Sequence, residues 1–411
     1  MRRIYLDNAA STPIDKKVAL EMTQAVKLYG NPSSYNDCGR EAREYIEKAR
    51  LKVARFLGAH SDEIVFTSSG TEANNLAIQG IARNLQFTIY NLQSNSKSKK
   101  LKPHIITTQV EHLSVLEPVR QLERSNFNVT YLSVNREGFV DLEELKRSLR
   151  PETVLVSVMY ANNEIGTIEP IIQISKIIKE FNKSLEIRNS DLEIGGTRRV
   201  LFHTDACQAT EYLNMNVNHL GVDLLTFNGS KIYGPRGIGV LYKRRGVKLF
   251  PLLFGGEQES GLRAGTENLP AIGGLAVALD GINKKERERL AGLRDYFIKK
   301  ITDSLPDILV NGALGVQRLP NNINISVPGL SSEVLLLELD KYGICAGSGS
   351  ACTSHAVEPS HVLKAIGVHK KYLDGALRFS MGRQTTKKDM DYVLKVLPKA
   401  IRDLKKRYKK I

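Results

Sequence analysis

Lys231, Asp205, His112 and Cys352 are the side chains in this sequence best suited to covalent chemistry. A desolvated lysine amine can form a Schiff base, a buried carboxylate can hold a positive charge, an imidazole moves protons near neutral pH, and a thiolate is a nucleophile. Taken singly, the first three have ordinary alternatives: a solvated loop lysine, a helix-capping aspartate and a satisfied core histidine. Cys352 differs. It stands in Ala346-Gly347-Ser348-Gly349-Ser350-Ala351-Cys352-Thr353-Ser354, among small residues ahead of a helix expected near Pro359. A structural cysteine sits among apolar neighbours, so this thiol is expected to be exposed, mobile and reactive.

The elements that position these residues strengthen the case. Short β-rich runs, Ile64–Thr67, His104–Thr108, Val154–Tyr160, Val200–Thr204, Leu224–Phe227 and Gly239–Tyr242, alternate with helical patterns between residues 60 and 245. That alternation predicts an α/β fold with a mostly parallel sheet covered by helices on both faces. Ligands in such folds sit at the carboxyl ends of the strands. The residues just past the runs are polar: Ser68-Ser69-Gly70-Thr71-Glu72, Gln109-Val110-Glu111-His112, Ala161-Asn162-Asn163-Glu164, Asp205-Ala206-Cys207-Gln208 and Asn228-Gly229-Ser230-Lys231. Together they supply an anion site at Gly70 and Thr71, a histidine, amides at Asn163 and Gln208, a carboxylate and a lysine. These are the parts a pyridoxal-phosphate site requires. Arg378 offers a planar fork to a substrate carboxylate, with an ion pair as its plain alternative.

At 411 residues and 42% hydrophobic content the chain can bury a large core. The pattern change beyond about Pro270 predicts a large domain over residues 15–265 and a smaller one built from residues 1–14 and 266–411. A charged helix over Lys284–Leu305 and strands over Ile323–Val327 and Tyr342–Ala346 belong to the second. Asn91–Lys102 and Asn182–Arg199 read as solvated surface insertions. No apolar run suits a membrane, so the protein is expected to be soluble and cytoplasmic. The four cysteines form neither a C-x-x-C pair nor a disulfide framework, and no metal is expected. The net charge of +15 and the basic end of the chain leave nucleic acid open as a partner. A solvated helix face is the favoured reading there, because aromatic residues are not interleaved for base stacking.

The motifs closely resemble the cysteine desulfurases of the class V aminotransferase fold, in the group that supplies sulfur for iron–sulfur assembly. The resemblance runs nearly end to end, through Tyr5–Pro13, Gly30-Asn31-Pro32-Ser33-Ser34, the five loops above, Gly261–Thr266, Gly347–Ser354 and Glu358-Pro359-Ser360. It implies a fold-type I pyridoxal-phosphate enzyme that converts L-cysteine to L-alanine through a persulfide on Cys352. The cofactor would be held by Lys231, Asp205, Gln208, Gly70, Thr71, His112 and Asn163, and the substrate by Asn163 and Arg378. Thr266 would reach the phosphate of the neighbouring subunit, implying a homodimer. Asn228 and Ser230 stand where relatives usually have serine and histidine beside the lysine, and are expected to contact the phosphate more weakly. The sulfur acceptor implied is an iron–sulfur scaffold protein, with tRNA thiolation as a further destination, although the chain stops short of the C-terminal tail that helps scaffold docking in many relatives. Two alternatives remain at this point: a selenocysteine lyase or other enzyme of the same fold, and a non-catalytic paralogue that binds scaffold or tRNA.

Overall fold

Ile64–Thr67, His104–Thr108, Thr153–Ser157 and Leu201–Asp205 are buried at every position, as strands sandwiched between two helical layers must be. In the computed structural model, which describes residues 3–93, 102–187, 199–349 and 359–408, they belong to a seven-stranded sheet. Its spatial order is Ile64–Thr67, Gly239–Lys243, Leu224–Asn228, Leu201–Asp205, Thr153–Ser157, His104–Thr108 and Asn128–Leu132. Gly239–Lys243 runs antiparallel to both of its neighbours, and every other pairing is parallel. The carboxyl ends of the parallel strands therefore meet on one edge, as the loop residues required.

Two differences from the sequence reading follow from burial. The edge strand Asn128–Leu132 was not anticipated, because only its last residue is fully buried and its polar content hides the pattern. The run expected over Val154–Tyr160 ends as a strand at Ser157, which frees the following residues to turn across the sheet edge. The two insertions also differ from expectation. Helices Gly70–Gln93 and Ile171–Ile187 run on into them, since leucine, glutamine, lysine and glutamate are adequate helix formers. Residues 94–101 and 188–198 lie outside the described residues.

Asn322–Ser326 forms the centre of a three-stranded antiparallel sheet between Leu309–Val310 and Ala376–Ser380. Ile4–Tyr5 pairs in parallel with Ile344–Cys345, and Asp7 bridges to Ser380. The N-terminal residues are thereby drawn to the second sheet while the carbonyls of Ala9 and Ala10 still reach the large one. Helix Leu269–Leu279 packs on helices Lys16–Ala25 and Asp37–Leu57. The basic helix Lys387–Tyr408 packs on Lys284–Ser304 and Ser332–Asp340, and buries Met390, Val393, Leu397, Ile401 and Leu404. Its lysines thus occupy the face that packing leaves over.

Candidate active site

A cavity of about 190 Å³ opens at the carboxyl edge of the large sheet, lined among others by Gly70, Thr71, Asn74, His112, Asn163, Asp205, Gln208, Asn228, Lys231 and Arg378. Asp205 is the last residue of its strand. One carboxylate oxygen accepts from the Cys207 N–H at 2.9 Å, and the other from Asn74 Nδ2 at 2.6 Å. Lys231 ends the turn after Leu224–Asn228. Its ammonium donates to the carbonyls of Ala9 at 2.8 Å and Ala10 at 2.5 Å, and Gln208 Nε2 donates to Ala9 O at 2.9 Å.

His112 caps helix Leu113–Arg124, with Nδ1 accepting from the Ser114 N–H at 3.1 Å. That bond leaves the proton of the neutral ring on Nε2. Burial pushes the imidazole pKa below its usual value; the Asp205 charge opposes the shift and the Lys231 charge adds to it. The ring is therefore uncharged at neutral pH. Arg378 is buried on strand Ala376–Ser380. Its Nη2 pairs with Asp7 at 2.9 Å and its Nη1 donates to Asn163 O at 3.2 Å. Its Nε has no hydrogen-bond partner among the described residues, which leaves one buried donor for a ligand to satisfy.

Gly70 begins helix Gly70–Gln93, whose first N–H groups have no intrahelical acceptor. A Cβ at Gly70 would fall 2.7 Å from Cys207 Sγ and 3.0 Å from Asn228 Nδ2, so only glycine lets backbone and amide approach this closely. Asn228 Nδ2 donates to Cys207 Sγ at 3.5 Å and Ser230 Oγ donates to Asn228 Oδ1 at 3.2 Å.

Matching the description aminotransferase class-V, a family model covers residues 4–187 and 192–393. The chain belongs to that family. It is 47% identical over 408 residues to the cysteine desulfurase IscS of Dictyoglomus turgidum, spanning 98% of this chain and 96% of the relative. It is 44% identical over 414 residues to a cysteine desulfurase of Nostoc sp., spanning 98% and 94%. Among solved structures, a NifS-like protein superposes with a TM-score of 0.85 at 34% identity, covering 97% of this chain and 99% of that one. A structure described as SspA in complex with cysteine gives a TM-score of 0.76 at 32% identity, covering 92% and 99%. The chain is accordingly a cysteine desulfurase of the IscS type, in a family of pyridoxal-phosphate enzymes.

The residues expected at this desulfurase's site divide into four groups. Gly70, Thr71, His112, Asn163, Asp205, Gln208, Asn228, Lys231 and Arg378 share the cavity. Ser230 lines an adjoining hollow of about 150 Å³ with Ser11, Ser68, Ser69 and Arg236, and so meets the cavity through Asn228. Thr266 is exposed and does not line the cavity of its own chain. Cys352 lies outside the described residues. Sequence reasoning missed Asn74 and the Ala9 and Ala10 carbonyls. Asn74 carried a signal, a polar residue one turn into a helix otherwise apolar on that face; the carbonyls carried none.

The hollow of about 150 Å³ beside Ser230 has room for an imidazole. Ser230→His should slow cofactor loss on dialysis by about tenfold or more, the worth of one charge-assisted hydrogen bond of roughly 1.5–3 kcal/mol. Unchanged or faster loss would mean that Ser230 and Asn228 already form a complete phosphate cup.

Proposed function

We propose that the chain converts L-cysteine to L-alanine with pyridoxal phosphate in this cavity, and leaves the sulfur on Cys352 as a persulfide. The observation that carries the reading is the convergence of Lys231, Asp205, His112, Asn163 and Arg378 on one cavity. The neighbouring structure described as holding cysteine supports the substrate.

The donor set fits the cofactor. Asp205 would hold the pyridine nitrogen, Thr71, Asn228 and the helix N-terminus at Gly70 the phosphate, Gln208 and Asn163 the ring oxygen, His112 the ring face and Lys231 the aldehyde end. Bound there, the group supplies an electron sink for the substrate α-carbon. Arg378 and Asn163 orient the substrate carboxylate, with Arg378 Nε the donor in waiting. Lys231 Nζ, as the neutral amine, would take the α-proton, and His112 would deliver a proton from Nε2. The Cys352 thiolate attacks the substrate sulfur. An S–S bond forms as the substrate Cβ–S bond breaks, the electron pair stays with the carbon fragment, and that fragment takes up a proton and leaves as alanine. The persulfide is then open to an acceptor, either an iron–sulfur scaffold protein or a carrier for tRNA thiolation, the destinations that the sequence resemblance implies. Among the described residues no helix is long and apolar enough to cross a membrane.

Intact mass of the holoenzyme after cysteine addition, with alanine measured alongside, tests the reading. One added sulfur per chain, mapped to Cys352, is expected; alanine without that adduct would refute it.

The site is completed by a second copy. Glu259 and Ser260 adopt left-handed backbone, φ 49° and 56°. Such strain persists only where surroundings enforce it. Arg50 grips the Glu259 carboxylate at 2.7 and 2.8 Å, and the Phe66 N–H donates to it at 2.8 Å. The segment so anchored presents Thr266 outward, toward a partner's phosphate site. Sedimentation should find a dimer at all concentrations that support activity, and a fully active monomer would exclude this arrangement.

A further inference from the structure

Glu164 is 1% exposed, yet the chemistry above gives it no part. Its Oε2 accepts a 2.6 Å hydrogen bond from Ser360 Oγ, the stronger, charge-assisted kind when the carboxylate is ionised. A Cβ built on Gly349 would stand 3.2 Å from the same oxygen. Gly349 and Ser360 lie on either side of the segment that carries Cys352.

The carboxylate is rigidly mounted. The Glu164 N–H donates to Asn162 Oδ1 at 2.8 Å, and its carbonyl accepts from the side-chain amides of Asn322 and Asn324, both at 3.1 Å. One residue earlier, Asn163 O accepts from Arg378. Arg378 in turn exchanges backbone hydrogen bonds with Gly347, at 2.6 and 3.0 Å. After Ser360, His361 Nε2 lies 2.9 Å from Glu111 O, the carbonyl just before His112. Both flanks of the cysteine segment therefore join the wall that carries Asn163 and Arg378.

We infer that Glu164 is a positioning residue for sulfur transfer: through Ser360 its carboxylate ties one flank of the Cys352 segment to the substrate-binding wall, the wall whose Arg378 holds the other flank at Gly347. The inference rests on Cys352 as the sulfur acceptor and explains why Glu358-Pro359-Ser360 accompanies it in the sequence. Holding the flanks removes part of the entropy of bringing the thiol to the sulfur.

The test is single turnover of holoenzyme with cysteine, following alanine, Cys352-linked sulfur by intact mass, and the change in cofactor absorbance that reports substrate entry. Glu164→Ala and Ser360→Ala should each slow sulfur transfer by about 10- to 100-fold, the scale of an ångström-level misplacement. KM and the absorbance change should stay near those of the parent. Glu164→Gln and Ser360→Thr keep an acceptor and a donor, and should restore most of the rate. The double alanine variant should be no slower than Glu164→Ala alone, because one bond is lost only once. Parent-like rates in both single variants, multiplicative losses in the double, or losses confined to substrate entry would overturn the inference. Should Glu164→Ala fail to fold, Ser360→Ala against Ser360→Thr decides it. Absence of Cys352-linked sulfur in the parent enzyme would instead remove the proposed function itself.

Discussion

Lys231→Ala should lower alanine formation by about 10³-fold or more, the scale reached when a group that both binds and moves protons is removed. The ammonium stands in the cavity with Asp205 and His112, held by two backbone carbonyls. Alanine at this position can neither hold the cofactor nor accept the α-proton. The fold should survive, since Lys231 is only half-buried and its removal returns the carbonyls of Ala9 and Ala10 to water in an open cavity. Alanine quantitation, with circular dichroism to verify folding, gives the measurement. Turnover within tenfold of the parent enzyme would exclude Lys231 from both roles.

How much of this site the sequence displays depends on whether a residue's role shows in its own type. Asp205, His112 and Lys231 declare themselves because each follows a buried run, and the sheet brings strand ends together. Arg378 was expected to meet a substrate carboxylate or form an ion pair, but no spacing pointed to the partner it has, Asp7, 371 positions away in the chain. The carbonyls of Ala9 and Ala10 left no trace, since every residue has one. Ser230 marks the opposite limit. The resemblance gave Ser230 a phosphate contact, and nothing in its type showed that the turn at 229–231 would aim its hydroxyl at the Asn228 side-chain oxygen. The edge strand Asn128–Leu132 was hidden for a related reason: a strand paired on one side and half in solvent need not be apolar.

Cys352→Ser should abolish both the sulfur adduct and alanine release while leaving cofactor content and its absorbance as in the parent enzyme. The separation follows from the composition of the site. The groups that line the cavity and are assigned to the cofactor, from Gly70 and Thr71 to Asp205 and Lys231, stand at the edge of the large sheet, and none of the hydrogen bonds described for them involves the cysteine segment. The residues flanking that segment meet the site through Gly347 at Arg378 and Ser360 at Glu164. A serine hydroxyl has nearly the size of the thiol but is a far weaker nucleophile at neutral pH, where the thiol is partly ionised and the hydroxyl is not. The loss should therefore be about 10³-fold or more in steady-state turnover, with substrate entry still visible as the absorbance change on cysteine addition. Cys207 gives a built-in control. Its thiol lines the cavity, and burial, with the neighbouring Asp205 charge, pushes its pKa well above the usual thiol value, which makes it a poor nucleophile at neutral pH. A serine variant that still releases alanine at a tenth of the parent rate, or that carries its sulfur on Cys207, would show that the thiol chosen from the sequence is not the acceptor.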